Sequence, residues 1–591
     1  MERNGRLDAA GCACIVAALI GILVCGARGL GAQCAAASAQ GSAADAQIRE
    51  LFVQQNWAEA VRLAAPMKSR SANAQFEYGM ALGHLNRLNE ARAALMEGAR
   101  QCPTQKRFPI ELGGVAFEQK DYAAAAHWLR RGLRLDPRDD YANNFLGTVY
   151  FLFGNLDAAL KYWNRVGKPR IAALDLDPHL RVHRLLLDRA FAFAPASELR
   201  EPQLITTQTR LNAMGIFPSY NLHLDARPDG SFDAVFRAQE QNGFGSSRLA
   251  AALSTFGGAP YETLYPSYGN IGRSAMNFDA LARFDPQKRR AWGELSAPLQ
   301  GLPQWRWQVS TDLRNENWAI RRSFTGDAPV LGSLNLEREA VGATLTSLAS
   351  GAWQWWAGGE LSHRVFRNVL PGSALTSELV TPGWELKQLA GVQGRLVSLP
   401  EHRFTLTAGA ASDFARTLNT AAYASEKLEG KAQAQWLPGM RGDNYELSER
   451  LRAGKIFGTA PFDDLFELGM ERDDSDLWMR GHLATRDGRK GCSPVGDGYL
   501  LSNTGLLRRV YGNGLVEIHL GPLADVGKMS APTSGLSAGT WLVDIGVEAR
   551  LKVFHTSVIL SYGRDLRSGA NALFGAAGGS PDFHWTAPKI P

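Results

Sequence analysis

The chain has 591 residues, 45% apolar and 21% charged, with 64 basic against 58 acidic side chains. Its mean hydropathy of −0.19 argues against a bundle of membrane-spanning helices, and no dense basic run marks a nucleic-acid partner. The same average is compatible with a transmembrane β-barrel, whose strands alternate apolar and polar residues.

At the N-terminus, Arg3 and Arg6 precede an apolar stretch from Ala9 to Cys25, and Ala37-Ser38-Ala39 offers a small-residue cleavage site. Residues 1–39 therefore read as a secretory signal peptide. Four of the six cysteines, Cys12, Cys14, Cys25 and Cys34, lie in or beside it. Cys102 and Cys492 fall in different expected domains, so no bridge between them is expected. Neither has the partner spacing of a zinc site. No metal or cofactor is assigned.

Residues 45–169 repeat themselves. Tyr78-Gly79, Leu112-Gly113 and Leu146-Gly147 follow one another at a spacing of 34, as do Ala91, Ala125 and Ala159. Pro103 and Pro137 close the first two units at the same offset, and Trp57 and Ala60 mark an earlier partial one. The pattern resembles the tetratricopeptide repeat, a helical hairpin whose small residues let its two helices approach closely. Stacked units form a solenoid with a groove for partners. Its polar candidates are Asn73, Arg100, Lys106, Arg130, Asn143 and Asn144.

Beyond Pro169 the pattern changes. Ala190 to Phe193 reads as a strand and Gln203 to Met214 as a helix. Two alternating stretches follow, Tyr220, Leu222, Leu224 and then Phe232, Ala234, Phe236, with an Asp229-Gly230 turn between them. With Leu211-Asn212-Ala213-Met214-Gly215-Ile216-Phe217 ahead of the hairpin and Glu240 after it, residues 185–242 resemble a POTRA domain. Ile216 stands where that family carries an aromatic residue. The resemblance implies a hairpin edge (Tyr220, Leu222, Leu224, Phe232, Phe236) that receives extended polypeptides by strand addition.

Residues 243–566 carry short alternating stretches separated by Gly, Pro, Asn and Asp. Phe404-Leu406-Ala408-Ala410 and Val516-Ile518-Leu520 are two of them. In the clearest, Val543, Ile545, Val547, Ala549, Leu551 and Val553 alternate with Asp544, Gly546, Glu548, Arg550 and Lys552. Such a strand has one greasy and one charged face. At about 20 residues per strand and turn, the region accommodates about sixteen antiparallel strands of a barrel. Tryptophans such as Trp292, Trp305, Trp307, Trp318, Trp353, Trp355 and Trp356 suit the membrane–water interface.

Late in the chain, Leu477-Trp478-Met479-Arg480-Gly481-His482 opens a long polar loop. Tyr499-Leu500-Leu501-Ser502-Asn503, Leu523-Ala524-Asp525-Val526-Gly527 and Leu560-Ser561-Tyr562-Gly563-Arg564-Asp565-Leu566 follow. Together these resemble the surface-antigen barrel superfamily of outer-membrane-protein assembly insertases and two-partner-secretion transporters. In that family an Arg-Gly-aromatic loop motif folds back into the lumen. The resemblance implies that Arg480, Gly481 and His482 form this motif and that Asp525 is the acidic partner. His482 replaces the usual aromatic, and the strand after Asn503 lacks an acidic residue often found there. Residues 567–591 read as a tail beyond the last strand.

Gly535-Leu536-Ser537-Ala538-Gly539 matches a nucleophile-elbow pattern but sits in a turn-rich stretch, so no enzymatic chemistry is assigned. Asp463-Asp464 and Asp473-Asp474 read as solvated loop charges rather than calcium ligands. The expectation is a multidomain, exported protein of the Gram-negative envelope: a periplasmic α-helical solenoid, an α+β POTRA-like domain and an outer-membrane β-barrel. Its implied work is insertion or translocation of polypeptides, with lipid, extended substrates and envelope accessory proteins as partners. The alternatives are an exopolysaccharide export porin and a periplasmic scaffold anchored by a barrel.

Overall fold

The computed structural model describes residues 43–578, apart from 246–247, 322–328, 419–421, 440–441, 443, 471–472, 474–476, 514–515, 534, 538 and 554–555. The expected signal peptide, with its four cysteines, and the end of the expected tail lie outside the described residues. The chain divides into two compact units, residues 1–152 and 153–591.

The first unit is helical: α1 (Ala43–Val53), α2 (Trp57–Ala64), α3 (Ala72–His84), α4 (Leu88–Gln101), α5 (Arg107–Glu118), α6 (Tyr122–Leu135) and α7 (Asp140–Leu152). Asn56, Ser71 and Asp121 start α2, α3 and α6, each accepting a hydrogen bond from a backbone N–H of the first turn, as N-cap residues do. Gly79 and Gly113 let paired helices touch: a Cβ there would stand 2.8 Å from Leu95 and 2.7 Å from Leu129. Ala91 and Ala125 are fully buried in the same contacts.

The second unit opens with α8 (Leu156–Trp163), followed by β1 (Ile171–Leu176), α9 (Arg184–Ala190), α10 (Glu201–Met214), β2 (Ser219–Ala226) and β3 (Phe232–Gln239). The sheet order is β1-β3-β2, with β1 parallel and β2 antiparallel to β3. The expected hairpin forms at Asp229-Gly230, where Gly230 adopts φ +78°. Two expectations are corrected. The third strand is Ile171–Leu176, not Ala190–Phe193. Phe191 and Phe193 alternate because they pack as irregular chain, Phe191 against Phe236 at 5.6 Å. Because β1 pairs beside β3, Phe232 and Phe236 lie on the central strand. Among the described residues the hairpin's unpaired edge is β2, with Tyr220, Leu222 and Leu224. Burial pushes the Tyr220 hydroxyl up to about 12.

A nine-residue helix, α11 (Arg248–Phe256), interrupts the region expected to be all strand; its Leu-Ala-Ala-Ala-Leu run favours that conformation. One large antiparallel sheet follows. Its first strand is interrupted, β4 (Thr263–Leu264) and β5 (Ser267–Ile271), both pairing with β6 (Met276–Asp285). Then come β7 (Lys288–Leu299), β8 (Leu302–Arg321), β9 (Val330–Ser347), β10 (Trp353–Leu370), β11 (Gly383–Leu399), β12 (Phe404–Thr417), β13 (Ala424–Trp436) and β14 (Tyr445–Gly458). Residues 459–497 form a long connection holding four two-residue strands: β15 (Phe466–Glu467), β16 (Thr485–Arg486), β17 (Arg489–Lys490) and β18 (Val495–Gly496). The sheet resumes with β19 (Gly498–Gly512), which pairs with β14. It continues through β20 (Val516–Ser530), β21 (Trp541–Val553), β22 (Thr556–Asp565) and β23 (Asn571–Gly578). The stretch expected to be a tail thus contributes a strand, paired with β22. Small residues at 572, 575, 576 and 577 hid its alternation.

The three-stranded module abuts one end of this sheet. Arg210 donates to the carbonyls of Leu348 and Ala349 at 3.2 Å, and Asn277 to that of Met214 at 2.8 Å. Glu240 accepts from the backbone N–H of Val182 and from Asn270, at 2.7 and 2.9 Å. Lys161 on α8 pairs with Glu401 in the β11–β12 turn at 2.8 Å. Burial opposes ionisation of Glu401, but the Lys161 ammonium outweighs it and holds the carboxyl below its ordinary value. The longer connections, residues 371–382, 459–497 and 531–540, leave the opposite end.

The sheet's two faces are inverted relative to a soluble protein. Val309, Leu313, Val341, Leu361, Leu386, Leu428, Leu451, Leu520, Val547 and Leu560 are 43–56% exposed. The alternate positions on neighbouring strands bury Arg290, Asp312, Arg338, Glu360, Arg364, Glu385, Asp525 and Asp544 to 6% exposure or less.

Candidate functional site

The described residues of the loop 459–497 lie against the charged face, and among them three groups of contacts fasten it there. The first is the Arg480-Gly481-His482 motif. The Arg480 guanidinium meets the Asp525 carboxylate through Nη2 at 2.6 Å and Nε at 3.0 Å, and the Arg480 backbone N–H donates to the same carboxylate at 2.8 Å. Nη1 reaches Glu548 at 3.3 Å and Nη2 the carbonyl of Thr504 at 3.2 Å. Asn503 donates at 2.8 Å to both Asp525 and the carbonyl of Trp478. A guanidinium so far from water requires this bidentate partner.

Gly481 donates its N–H to Asp544 at 2.6 Å. A Cβ at this position would stand 2.7 Å from both the Asp544 carboxyl carbon and the Asp565 nitrogen. Gly563 on β22 has the complementary role: a Cβ there would come within 2.1 Å of the Arg480 carbonyl oxygen. Both glycines admit backbone-to-wall approach.

His482 is fully buried between two aspartates, its Nδ1 2.9 Å from Asp544 and its Nε2 3.6 Å from Asp565. The three groups bring ligand atoms within 4.8 Å of one another. The Asp544 carboxylate stands at one ring nitrogen and the Asp565 carboxylate nearer the other, so the imidazole lies between two acidic groups of adjacent strands. Sequence reading identified His482 but not these two partners, which come from adjacent strands.

The second fastening overturns an expectation. Asp463 and Asp464 are not solvated. Asp463 meets Arg338 at 3.3 Å and Arg364 at 3.0 Å, and Asp464 binds Lys387 and stands 3.6 Å from Arg364. Arg364 is also held bidentately by Glu385 at 2.9 Å, and Arg338 donates through Nη2 alone to Glu360. Asp473 accepts from Tyr265 at 2.7 Å and from Arg283 at 2.9 Å; Asp474 lies outside the described residues. The third fastening is Lys490, which lies 3.2 Å from Glu467, 3.6 Å from Glu316 and 4.4 Å above the Trp318 ring. Apolar loop residues Leu468, Leu477 and Met479 pack with Tyr499, Leu501, Met529 and Leu542 of the wall.

The register explains where the second fastening lands. Arg283 stands opposite Arg290, Arg290 opposite Arg314, Arg314 opposite Arg338, and Arg338 opposite Arg364. Five adjacent strands, β6 to β10, thus carry one continuous arginine row. Like charges directly opposite one another are destabilising. Asp312 therefore sits between Arg290, at 2.9 Å, and Arg314, at 2.6 Å.

The expected groove residues of the helical unit have mainly structural contacts. Asn73 accepts a hydrogen bond from Arg107. Arg100 pairs with Glu97 on its own helix at 3.0 Å, and Arg130 donates to the Ala126 carbonyl at 3.3 Å. Lys106 bridges Asp136 and Asp139 at 2.7 and 2.6 Å, and these two carboxylates hold its ammonium well above the usual lysine range. Asn143 is corrected as a groove candidate: it is buried and donates to the carbonyls of Pro137 and Asp139. The Asn144 carbonyl accepts from Thr148 at 3.0 Å. Ser537 of the nucleophile-like pattern donates to the Met529 carbonyl in the β20–β21 turn.

No helix among the described residues is long and apolar enough to cross a membrane, which says nothing about strands. No family model matches the chain, and no curated protein does. Among solved structures, CdiB from Escherichia coli is similar at 11% identity over 70% of this chain and 76% of that one, with a TM-score of 0.46. CdiB from Acinetobacter baumannii follows at 12% identity, 69% and 73% coverage and a TM-score of 0.41. BamA from Haemophilus ducreyi, in a form lacking POTRA domains 1–3, aligns at 8% identity over 69% of this chain and 85% of that chain, with a TM-score of 0.39.

Proposed function

We propose that the chain is an outer-membrane protein in which residues from β4 to the C-terminal strands close into a barrel of about sixteen strands. In this reading it inserts or translocates polypeptides without covalent chemistry. The observation that carries it is the inverted sheet. An apolar face left half-exposed on strand after strand is costly in water at ~25 cal/mol per Å², and lipid removes that cost. The strand order, which runs around a ring, supports closure. Short turns at the module end and longer connections at the other fit periplasmic and extracellular sides respectively.

The helical unit is read as a tetratricopeptide-type array that recruits envelope partners from the periplasm. The β1-β3-β2 module is read as a POTRA-type domain whose β2 edge receives extended substrate. The Arg480-Gly481-His482 loop is read as the element that occupies the lumen and is braced by Asp525. Mixing the full-length mature protein with vesicles carrying brominated acyl chains tests the reading. Quenching of the outward tryptophans Trp353, Trp355 and Trp384 is expected. A monodisperse, unquenched protein in detergent-free buffer would overturn it.

A further inference from the structure

We propose that the arginine row across β6–β10 is a binding site for acidic polypeptide segments, held shut in the resting structure by the loop's own aspartates. The proposal rests on the reading of the charged face as a lumen. It follows from a charge count. Arg283, Arg290, Arg314, Arg338, Arg364 and Lys387 are six cations on one wall. Among the described residues six carboxylates pair with them, and three of these belong to that wall, Asp312, Glu360 and Glu385. The other three come from the loop: Asp463, Asp464 and Asp473.

Part of the counter-charge on this row is therefore supplied by a loop rather than by the strands that carry the cations. When the loop withdraws, the six cations keep the carboxylates of their own strands but lose those of the loop, along a stripe five to six strands wide. Cross-strand neighbours stand ~4.5–5.5 Å apart, a spacing that a chain with closely spaced acidic side chains can follow. An acidic peptide segment is favoured over other anions because the resident occupant is itself such a segment: adjacent aspartates, Asp463 and Asp464, in a short 3-10 turn. Guanidinium groups add the bidentate geometry that carboxylates fit. The loop thus acts as an internal competitor, and an incoming segment both displaces it and takes its place.

The test uses the full-length protein in planar lipid bilayers, with hexa-aspartate as probe, a Gly/Ser hexapeptide as the neutral control and an oligogalacturonate as the glycan control. The double variant Asp463→Asn/Asp464→Asn is expected to raise conductance several-fold over wild type and to favour anions in a salt gradient. Hexa-aspartate should block that current at a concentration at least tenfold below the neutral peptide. The charge-conserving Asp463→Glu/Asp464→Glu variant should stay near wild type, which separates loss of charge from loss of fold. A double Asn variant that inserts but matches wild type in conductance and selectivity would overturn the proposal. So would stronger block by the oligogalacturonate, which would assign the row to glycans. Failure of every form to insert into bilayers would instead strike the barrel reading itself.

Discussion

The helical unit and the strand-rich unit use the same amino acids in opposite ways. In the first, Ala60, Leu82, Leu95 and Leu129 are fully buried, while ion pairs such as Arg62–Glu59 and Arg87–Glu90 lie at the surface. In the large sheet of the second, Leu313, Val341 and Val547 are about half-exposed, while pairs such as Arg364–Glu385 and Arg290–Asp312 are buried. The difference teaches that burial in this chain is not a measure of hydrophobicity. In the proposed reading it reports which solvent each face meets, and the buried arginines of the row are each held by carboxylates.

The comparison can be broken most severely at the braced arginine. Asp525→Ala leaves the Arg480 guanidinium buried without its main counter-charge, at a cost of about 3–5 kcal/mol. Urea unfolding of the reconstituted protein should show it, with recovery when Arg480→Ala is added. Arg480→Glu should impair assembly or transport in a complemented deletion strain, and wild-type behaviour would count against the brace. Next in size, Val341→Lys places a cation on the outward face and should cost about 2–4 kcal/mol in vesicles. The similarly exposed Leu135→Lys in the helical unit should stay within ~0.5 kcal/mol. Equal effects would erase the distinction between the units.

Inside the helical unit, Gly113→Val pushes side-chain atoms into Leu129 and should cost about 1–3 kcal/mol, read as faster proteolysis of α5 and α6 in the intact chain. The smallest effect concerns pH at the module end. Glu401 has its carboxyl held below the ordinary value, so the stability from its pairing with Lys161 is fully present above the ordinary glutamate value. It is lost as pH falls through the lowered one. Glu401→Gln should therefore cost ~1 kcal/mol at pH 7 and less at pH 3. Denaturation midpoints at the two pH values check this.

Much of the fold was legible where a signal is local. The 34-residue spacing marked the helix pairs because each close contact repeats a small residue at the same offset. The alternation at 543–553 marked β21 because its two faces differ so sharply. The Asp229-Gly230 turn marked the hairpin. Signals carried by pairing were not legible. The parallel strand Ile171–Leu176 lacks a turn linking it to its partner, and β23 is built from small residues. At the site, Arg480 and Asp525 stood out through resemblance to a known barrel family. The arginine row did not, since its members lie on five different strands and only the register aligns them. For the same reason Asp463 and Asp464 read as ordinary loop charges.

The three fastenings of the loop have a consequence for the order of assembly. Arg364 and Asp463 are 99 positions apart, and Arg480 and Glu548 are 68. One set of contacts needs strands made early in synthesis and the other needs strands made late. The loop therefore serves as a cross-tie whose two sets of contacts can both be made only once strands from both sides of it in the sequence are in place.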